Sequence, residues 1–338
     1  MPIARSNRPN VLIVAAGGRV ARRVARALCA RGEPPRALVR DATKARGVLV
    51  DDQGAPLPVE LMVSDMADLH GVRRALEGID IAFLALGSSL EQVALEQRFI
   101  DVAADVGLAH LVKLSAAEAR SDGVASVLRW HAAIESHLVA SRLPYTLLSP
   151  STFTDVLMLA AASIRERGRW SGSAPHGRTA LIDSADVVDA AVAVLTDVGK
   201  RGGKHVLTGP AAVTWPEVAE ALTRVLGRPI KYDPVSIAER RAELEAADLA
   251  PWRVELLLGL EEIGRTGLYS TTTNTVKALT GHPPRTIEDY IERNVARFPD
   301  RRGASNRPSP RCRLRTGDDQ LADRQRRRER RAVAVQGH

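Results

Sequence analysis

Two glycines follow a short apolar run near the N-terminus, in Val11-Leu12-Ile13-Val14-Ala15-Ala16-Gly17-Gly18-Arg19-Val20. At the junction of a strand and a helix, glycines let the backbone approach a diphosphate closely. The unpaired N–H groups of the helix's first turn then point at that anion, and the helix dipole favours it. Gly17 and Gly18 can supply the close approach, and Arg19 and Val20 the first-turn N–H groups, so this junction is a candidate dinucleotide loop. Arg40 stands 22 residues after Gly18, and Lys44 follows one helical turn later. At about that spacing an acidic residue would bind the ribose 2′-hydroxyl of NAD. Arg40 and Lys44 suit a 2′-phosphate instead, so NADP is preferred over NAD. Asp41 pulls the other way, because a carboxylate turned inward would favour NAD.

Other residues fit around that loop. Asp65 could accept from an adenine amino group, although Asp65 or Asp68 could equally cap the next helix. Leu86 and Gly87, at the end of a fourth apolar run, leave room for a ribose or nicotinamide. A proton donor is harder to place. None of the tyrosines (Tyr145, Tyr232, Tyr269 and Tyr290) has a lysine four residues on; those positions hold Ser149, Ser236, Thr273 and Asn294. His131 and Glu135 lie i, i+4 on one helical face, so His131 could donate with Glu135 orienting it or raising its pKa, or the two could form a surface pair. Ser115 could hydrogen-bond a carbonyl. Phosphate-loop, serine-elbow and zinc-helix motifs are absent from the sequence, and the histidines lack metal-ligand spacing.

These positions need a particular scaffold. Strand-like runs at 11–15, 36–39, 59–63, 79–86, 108–114 and 145–148 alternate with helical stretches at 20–30, 69–76, 90–106 and 126–140. The strands are continuously apolar, as expected when helices cover both sheet faces. The reading is α/β: a doubly wound parallel sheet of Rossmann type over residues 1–150. Residues 151–298 form a smaller α/β substrate-covering region. It holds helices near 154–167, 186–197, 237–248, 252–264 and from 287, with strands near 179–182, 205–208 and 230–232 and a loop at 169–178. Thr214 is expected to cap a helix that Gly227 closes.

The net charge is +8 over 338 residues. Residues 299–338 carry twelve arginines against four aspartates and one glutamate, so residues 1–298 are close to neutral. A near-neutral body argues against nucleic acid as a partner. The tail has almost no apolar periodicity and is read as disordered. Cys29 and Cys312 offer neither a disulfide framework nor a metal site. With no long apolar span and no signal-peptide pattern, the expected location is the cytoplasm, with no membrane partner.

Six stretches in order resemble the NmrA-like, atypical branch of the short-chain dehydrogenase/reductase superfamily. They are Arg36–Ala45 (RALVRDATKA), His110–Ala117 (HLVKLSAA), Trp130–Pro150 (WHAAIE…SRLPYTLLSP), Gly177–Asp189 (GRTALIDSADVVD), His205–Pro210 (HVLTGP) and Leu279–Tyr290 (LTGHPPRTIEDY). The resemblance implies NADP(H)-dependent reduction of a quinone-like or conjugated carbonyl; an alternative within the family is a nucleotide-binding redox sensor that controls a partner protein without turnover. It places Gly18, Arg40, Asp65 and Lys113 on the cofactor side, and Ser115 and His131 on the substrate cleft. Ala15 and Ala21 stand where the family's loop has its first and third glycines, and Ser149 where it has arginine.

Overall fold

The structure, a computed structural model, describes residues 9–299; the expected tail lies outside the described residues, apart from Pro299. The main sheet is built from β1 (Val11–Val14), β2 (Arg36–Val39), β3 (Glu60–Val63), β4 (Ile81–Leu84), β5 (His110–Leu114) and β6 (Tyr145–Pro150). A short separate pair consists of β7 (Arg169–Gly172) and β9 (Lys231–Pro234), while β8 (Lys204–Leu207) joins the main sheet. Its order is β3-β2-β1-β4-β5-β6-β8, with every neighbour parallel. The order of strands across the sheet therefore reverses between β1 and β4. Loops beyond the carboxyl ends of these two strands flank the crevice where such sheets take their ligands.

Side-chain alternation sorts the strands between two cores. Val11 and Ile13 of β1 pack with α1 (Arg19–Ala30) and, further along the same face, α7 (Ser184–Thr196). Leu12 and Val14 face the layer of α3 (Leu69–Leu76), α4 (Gln92–Asp105) and α5 (Ser126–Ala140). In β5, Val112 belongs to the first core and Leu111 to the second. Lys113 shares the parity of Leu111 and so enters the α4/α5 layer. A short α2 (Ala42–Arg46) follows β2.

Residues beyond 150 return to this sheet rather than standing apart. Strand β8 pairs with β6, and α7 covers the α1 face. The rest forms a third core from α6 (Leu157–Arg167), α8 (Trp215–Leu226) and α12 (Ile287–Arg293) around β7 and β9. Helices α9 (Ile237–Ala246) and α10 (Pro251–Arg265) extend it, and α11 (Thr275–Thr280) packs on α7. A smaller fourth cluster joins α10 to α5 through Ala125, Leu128 and Ile263, and there the Ala117 carbonyl accepts a 2.6 Å hydrogen bond from Tyr269 Oη.

Two local expectations change. Residues 179–182 form isolated bridges to Val213 and Phe153 rather than a strand. Residues 169–172, expected as loop, are β7, because Trp170 is drawn into the third core. Gly209 comes so close to the backbone of Leu181 that a Cβ would lie 2.0 Å from its carbonyl oxygen. The Thr208–Pro210 turn thus needs glycine for approach.

Thr214 caps α8 with a full capping box, and Gly227 ends it at φ +64°. Asp183 caps α7 and pairs with Arg293, while Arg285 is clamped between Asp186 and Asp189. The two acid-rich stretches near 183–189 and 285–289 thereby act as structural clamps. Asp183, Asp186 and Asp189 are committed to guanidinium groups, with His282 Nε2 3.3 Å from Asp189, while Asp289 completes the capping box of α12.

Candidate functional site

The loop after β1 is held by its own backbone. Gly18 N–H donates to Ala15 O at 2.8 Å, and Gly18 caps α1 in an extended conformation. No side chain caps this 12-residue helix and no acid lies in its first turn, so its positive end is uncompensated. A Cβ on Gly17 would meet only Val48, at 4.0 Å, so the loop surface is open. One on Gly18 would lie 3.2 Å from Ala15 O and 3.8 Å from Ala85 O, where the two crevice loops meet. Leu86 and Gly87 follow on the far wall, half-buried and exposed respectively.

Ala15 takes φ +52°, so the turn does require the left-handed region where the family has glycine. An L-residue there costs about 1–2 kcal/mol, part of which glycine would return through its freer unfolded chain. Ala15→Gly is therefore expected to raise the unfolding free energy by up to about 1 kcal/mol. Urea denaturation measures it, and a loss of similar size would show that the turn is not strained.

Just past β2, Arg40 is exposed and makes no ion pair or side-chain hydrogen bond within the described residues. Asp41, the residue that could have favoured NAD, caps α2 by accepting from Lys44 N at 3.0 Å. Its carboxylate also sits 3.9 Å from Lys44 Nζ. Asp68 caps α3, while Asp65 accepts from Ala67 N and remains exposed beside the crevice loop.

The interior differs from the expectation. Lys113 has no exposed surface and cannot touch a nucleotide. Its ammonium lies 2.6 Å from Glu96 Oε2, 2.8 Å from Leu114 O and 3.3 Å from His131 Nδ1. Placing Lys113 on the cofactor is corrected accordingly: strand alternation turns it into the helical layer. The expected His131–Glu135 pair does not form either. Glu135 accepts from Ser115 Oγ at 2.5 Å and lies 3.1 Å from Lys204 Nζ. The Ser115 proton is thus committed to Glu135, so Ser115 is not available to donate to a carbonyl. His131 Nε2 has no hydrogen-bond partner among the described residues.

Burial, then the neighbouring charges of Lys113 and Lys204, pushes the His131 imidazole well below the ordinary histidine range. That shift favours the neutral imidazole, so the donor it offers is a neutral N–H. His110, buried against Thr146, is lowered to about 4, by burial first and then by Arg201.

Both histidines have folded-state values below their unfolded ones. Below about pH 6.5 the unfolded chain takes up protons that the folded chain refuses, so stability falls with pH. His110 alone accounts for roughly 3 kcal/mol between pH 6.5 and about 4. Unfolding titrations across that window should show the decline. A flat profile would mean that these imidazoles are protonated in the fold.

Beyond β6, a cavity of about 650 Å3 opens past Thr152, with Leu157, Trp170, Trp215, Tyr232 and Leu260 among its walls. Trp170 packs edge-on to Trp215 at 6.5 Å and to Tyr232 at 5.4 Å. Such volume and lining suit a small planar organic molecule.

Sequence reading missed Glu96, Gln92 and Lys204. The signal was present in α4, whose buried stripe opens on Gln92 and Glu96 before Phe99, Ile100 and Ala103. Polar groups at such positions need partners. Glu96 finds Lys113 and accepts from Gln92 Nε2 at 3.0 Å.

The sequence profile of the NmrA-like family matches residues 7–291. An NAD(P)H azoreductase of Xenophilus azovorans is 27% identical over 288 residues, 85% of this chain and 99% of that protein. A (4-alkanoyl-5-oxo-2,5-dihydrofuran-3-yl)methyl phosphate reductase of Streptomyces griseus subsp. griseus is 32% identical over 289 residues, with the same coverage. Among solved structures, an NADPH-dependent quinone oxidoreductase of Escherichia coli complexed with NADPH superposes with a TM-score of 0.75 at 23% identity. That match covers 84% of this chain and 99% of the other. Among the described residues, no helix is long and apolar enough to cross a membrane.

Proposed function

This chain belongs to the NmrA-like family, and from that membership we propose that it is an NADPH-dependent reductase whose acceptor is a quinone or other conjugated carbonyl. The observation that carries the cofactor reading is Arg40, exposed and unpaired among the described residues, while the competing Asp41 is consumed as a helix cap. Gly17, Gly18 and the first-turn N–H groups of Arg19 and Val20 hold the diphosphate at the uncapped end of α1. Arg40 and Lys44 take the 2′-phosphate, Asp65 borders the adenine, and Leu86 and Gly87 form the far wall. NADPH, when bound, supplies the hydride.

The protein's own part is to bind, orient and donate one hydrogen bond. The aromatic cavity past Thr152 takes the planar acceptor. His131, neutral and with Nε2 unpartnered among the described residues, donates to the acceptor oxygen as negative charge develops there. Quinone reduction needs little further acid catalysis, so the missing Tyr/Lys pair does not stand against it.

The test is calorimetric titration with NADPH and NADH, followed by NADPH oxidation in the presence of a naphthoquinone. NADPH-selective binding with quinone-dependent turnover is expected. Binding without turnover on any quinone would make the protein a nucleotide sensor, and absence of binding would overturn the reading.

A further inference from the structure

We infer that Lys113 is a positioning residue for His131: anchored on Glu96, its ammonium donates to Nδ1 and so fixes the imidazole in the tautomer that carries its proton on Nε2. This rests on the reading of His131 as donor to the acceptor oxygen, and it names what prepares that donor.

The geometry leaves little choice of proton position. An ammonium has three donors and no acceptor. The three groups around Lys113 Nζ are Leu114 O, Glu96 Oε2 and His131 Nδ1, at 2.8, 2.6 and 3.3 Å. Facing a cation that can only donate, Nδ1 must present its lone pair. A neutral imidazole with Nδ1 accepting has its hydrogen on Nε2. That is the nitrogen with no partner among the described residues.

A merely structural role accounts poorly for this arrangement. Lys113 and Glu96 are both wholly buried. Taking an ion pair out of water is expensive, and apolar side chains of similar volume would fill such a space at no loss. Charged groups retained at that cost point to a function for the field or for the hydrogen bonds.

The surroundings agree. The charges acting on His131 are Lys113 on β5 and Lys204 on β8, each paired with a carboxylate, Glu96 on α4 and Glu135 on α5 respectively. Glu135 is held by Ser115 and Lys204 and makes no bond to the imidazole. Among the described residues, Lys113 alone addresses Nδ1. The arrangement follows from β5, which turns Lys113 toward the helical layer, and from α5, where His131 lies on the buried stripe with Leu128, Ile134 and Leu138.

The experiment is nitrogen NMR of the imidazoles in the full chain labelled with 15N, with His131 assigned by its loss in H131Q. In the wild type, Nδ1 should resonate as an unprotonated nitrogen and Nε2 as a protonated one, unchanged between about pH 5 and 8. The double variant K113M/E96Q removes both charges together and keeps an acceptor for Gln92. There the two tautomers should mix, His131 should begin to titrate, and kcat should fall about tenfold with a new dependence on pH. A wild-type proton on Nδ1 overturns the inference, even if the double variant does not fold. So does a double variant that keeps the Nε2–H tautomer and a flat pH profile. The donor reading fails separately: full turnover in H131A would sink it while leaving the tautomer measurement intact.

Discussion

Replacing Arg40 by aspartate is expected to weaken NADPH binding by about 10- to 100-fold and to bring NADH to equal or better affinity. Arg40 leaves β2 exposed and makes no ion pair or side-chain hydrogen bond within the described residues. Its charge is therefore available to a 2′-phosphate, where a charge-assisted hydrogen bond contributes about 1.5–3 kcal/mol. Aspartate removes that contact, repels the phosphate, and offers a carboxylate suited to two ribose hydroxyls. The fold should tolerate the change, because Asp41 rather than Arg40 caps α2. Calorimetry with both nucleotides decides it. Unchanged affinities would mean that the 2′ position is read elsewhere.

His131→Ala should lower kcat about 100-fold, the usual scale for removing one donor to a developing oxyanion, with NADPH affinity little changed. Alanine also strips Lys113 of its third acceptor, so thermal melting must accompany the kinetics. His131→Gln separates the two effects. Its carbonyl can accept from Lys113 while its amide still donates, so it should retain more turnover than alanine. Because burial keeps the wild-type imidazole neutral, the rate should show no fall as pH rises through 6.5. A fall there would identify an imidazolium donor and contradict the buried geometry. Equal turnover in wild type and H131A would remove His131 from the reaction.

Much of the site was legible where chemistry depends on local order. A strand, two glycines and a helix start are contiguous, so Gly17, Gly18 and the first turn of α1 can be recognised without knowing what packs around them. The departure at Ala15 was equally readable, and its φ of +52° shows the turn holding its shape despite the side chain. Arg40 follows from spacing alone, since a βαβ unit fixes the distance from the loop to the end of β2. What spacing could not supply was the role of Asp41, which depends on whether its carboxylate turns to α2 or to the ribose.

The interior shows the limit from the other side. His131 and Glu135 are four apart on one helix, which places them on one face but does not pair them. Glu135 lies beside Ser115 and Lys204, residues 20 and 69 positions away in the chain. Strand alternation already put Lys113 on the same face of β5 as Leu111, so its direction was implicit. The partners of that face were not.

By itself, then, the sequence determined the parallel sheet, the glycine turn that opens α1 and the exposed cation at the end of β2. Each of these rests on apolar periodicity or on residues within one βαβ unit. The tertiary structure decided which buried polar groups meet: Glu96 with Lys113, Lys113 with His131, and Glu135 with Ser115 and Lys204. The reason is physical. A buried charge must find a partner somewhere in the fold, but the sequence specifies only that it is buried. Which carboxylate or imidazole lies within about 3 Å of it is set by how α4 and α5 pack on β5.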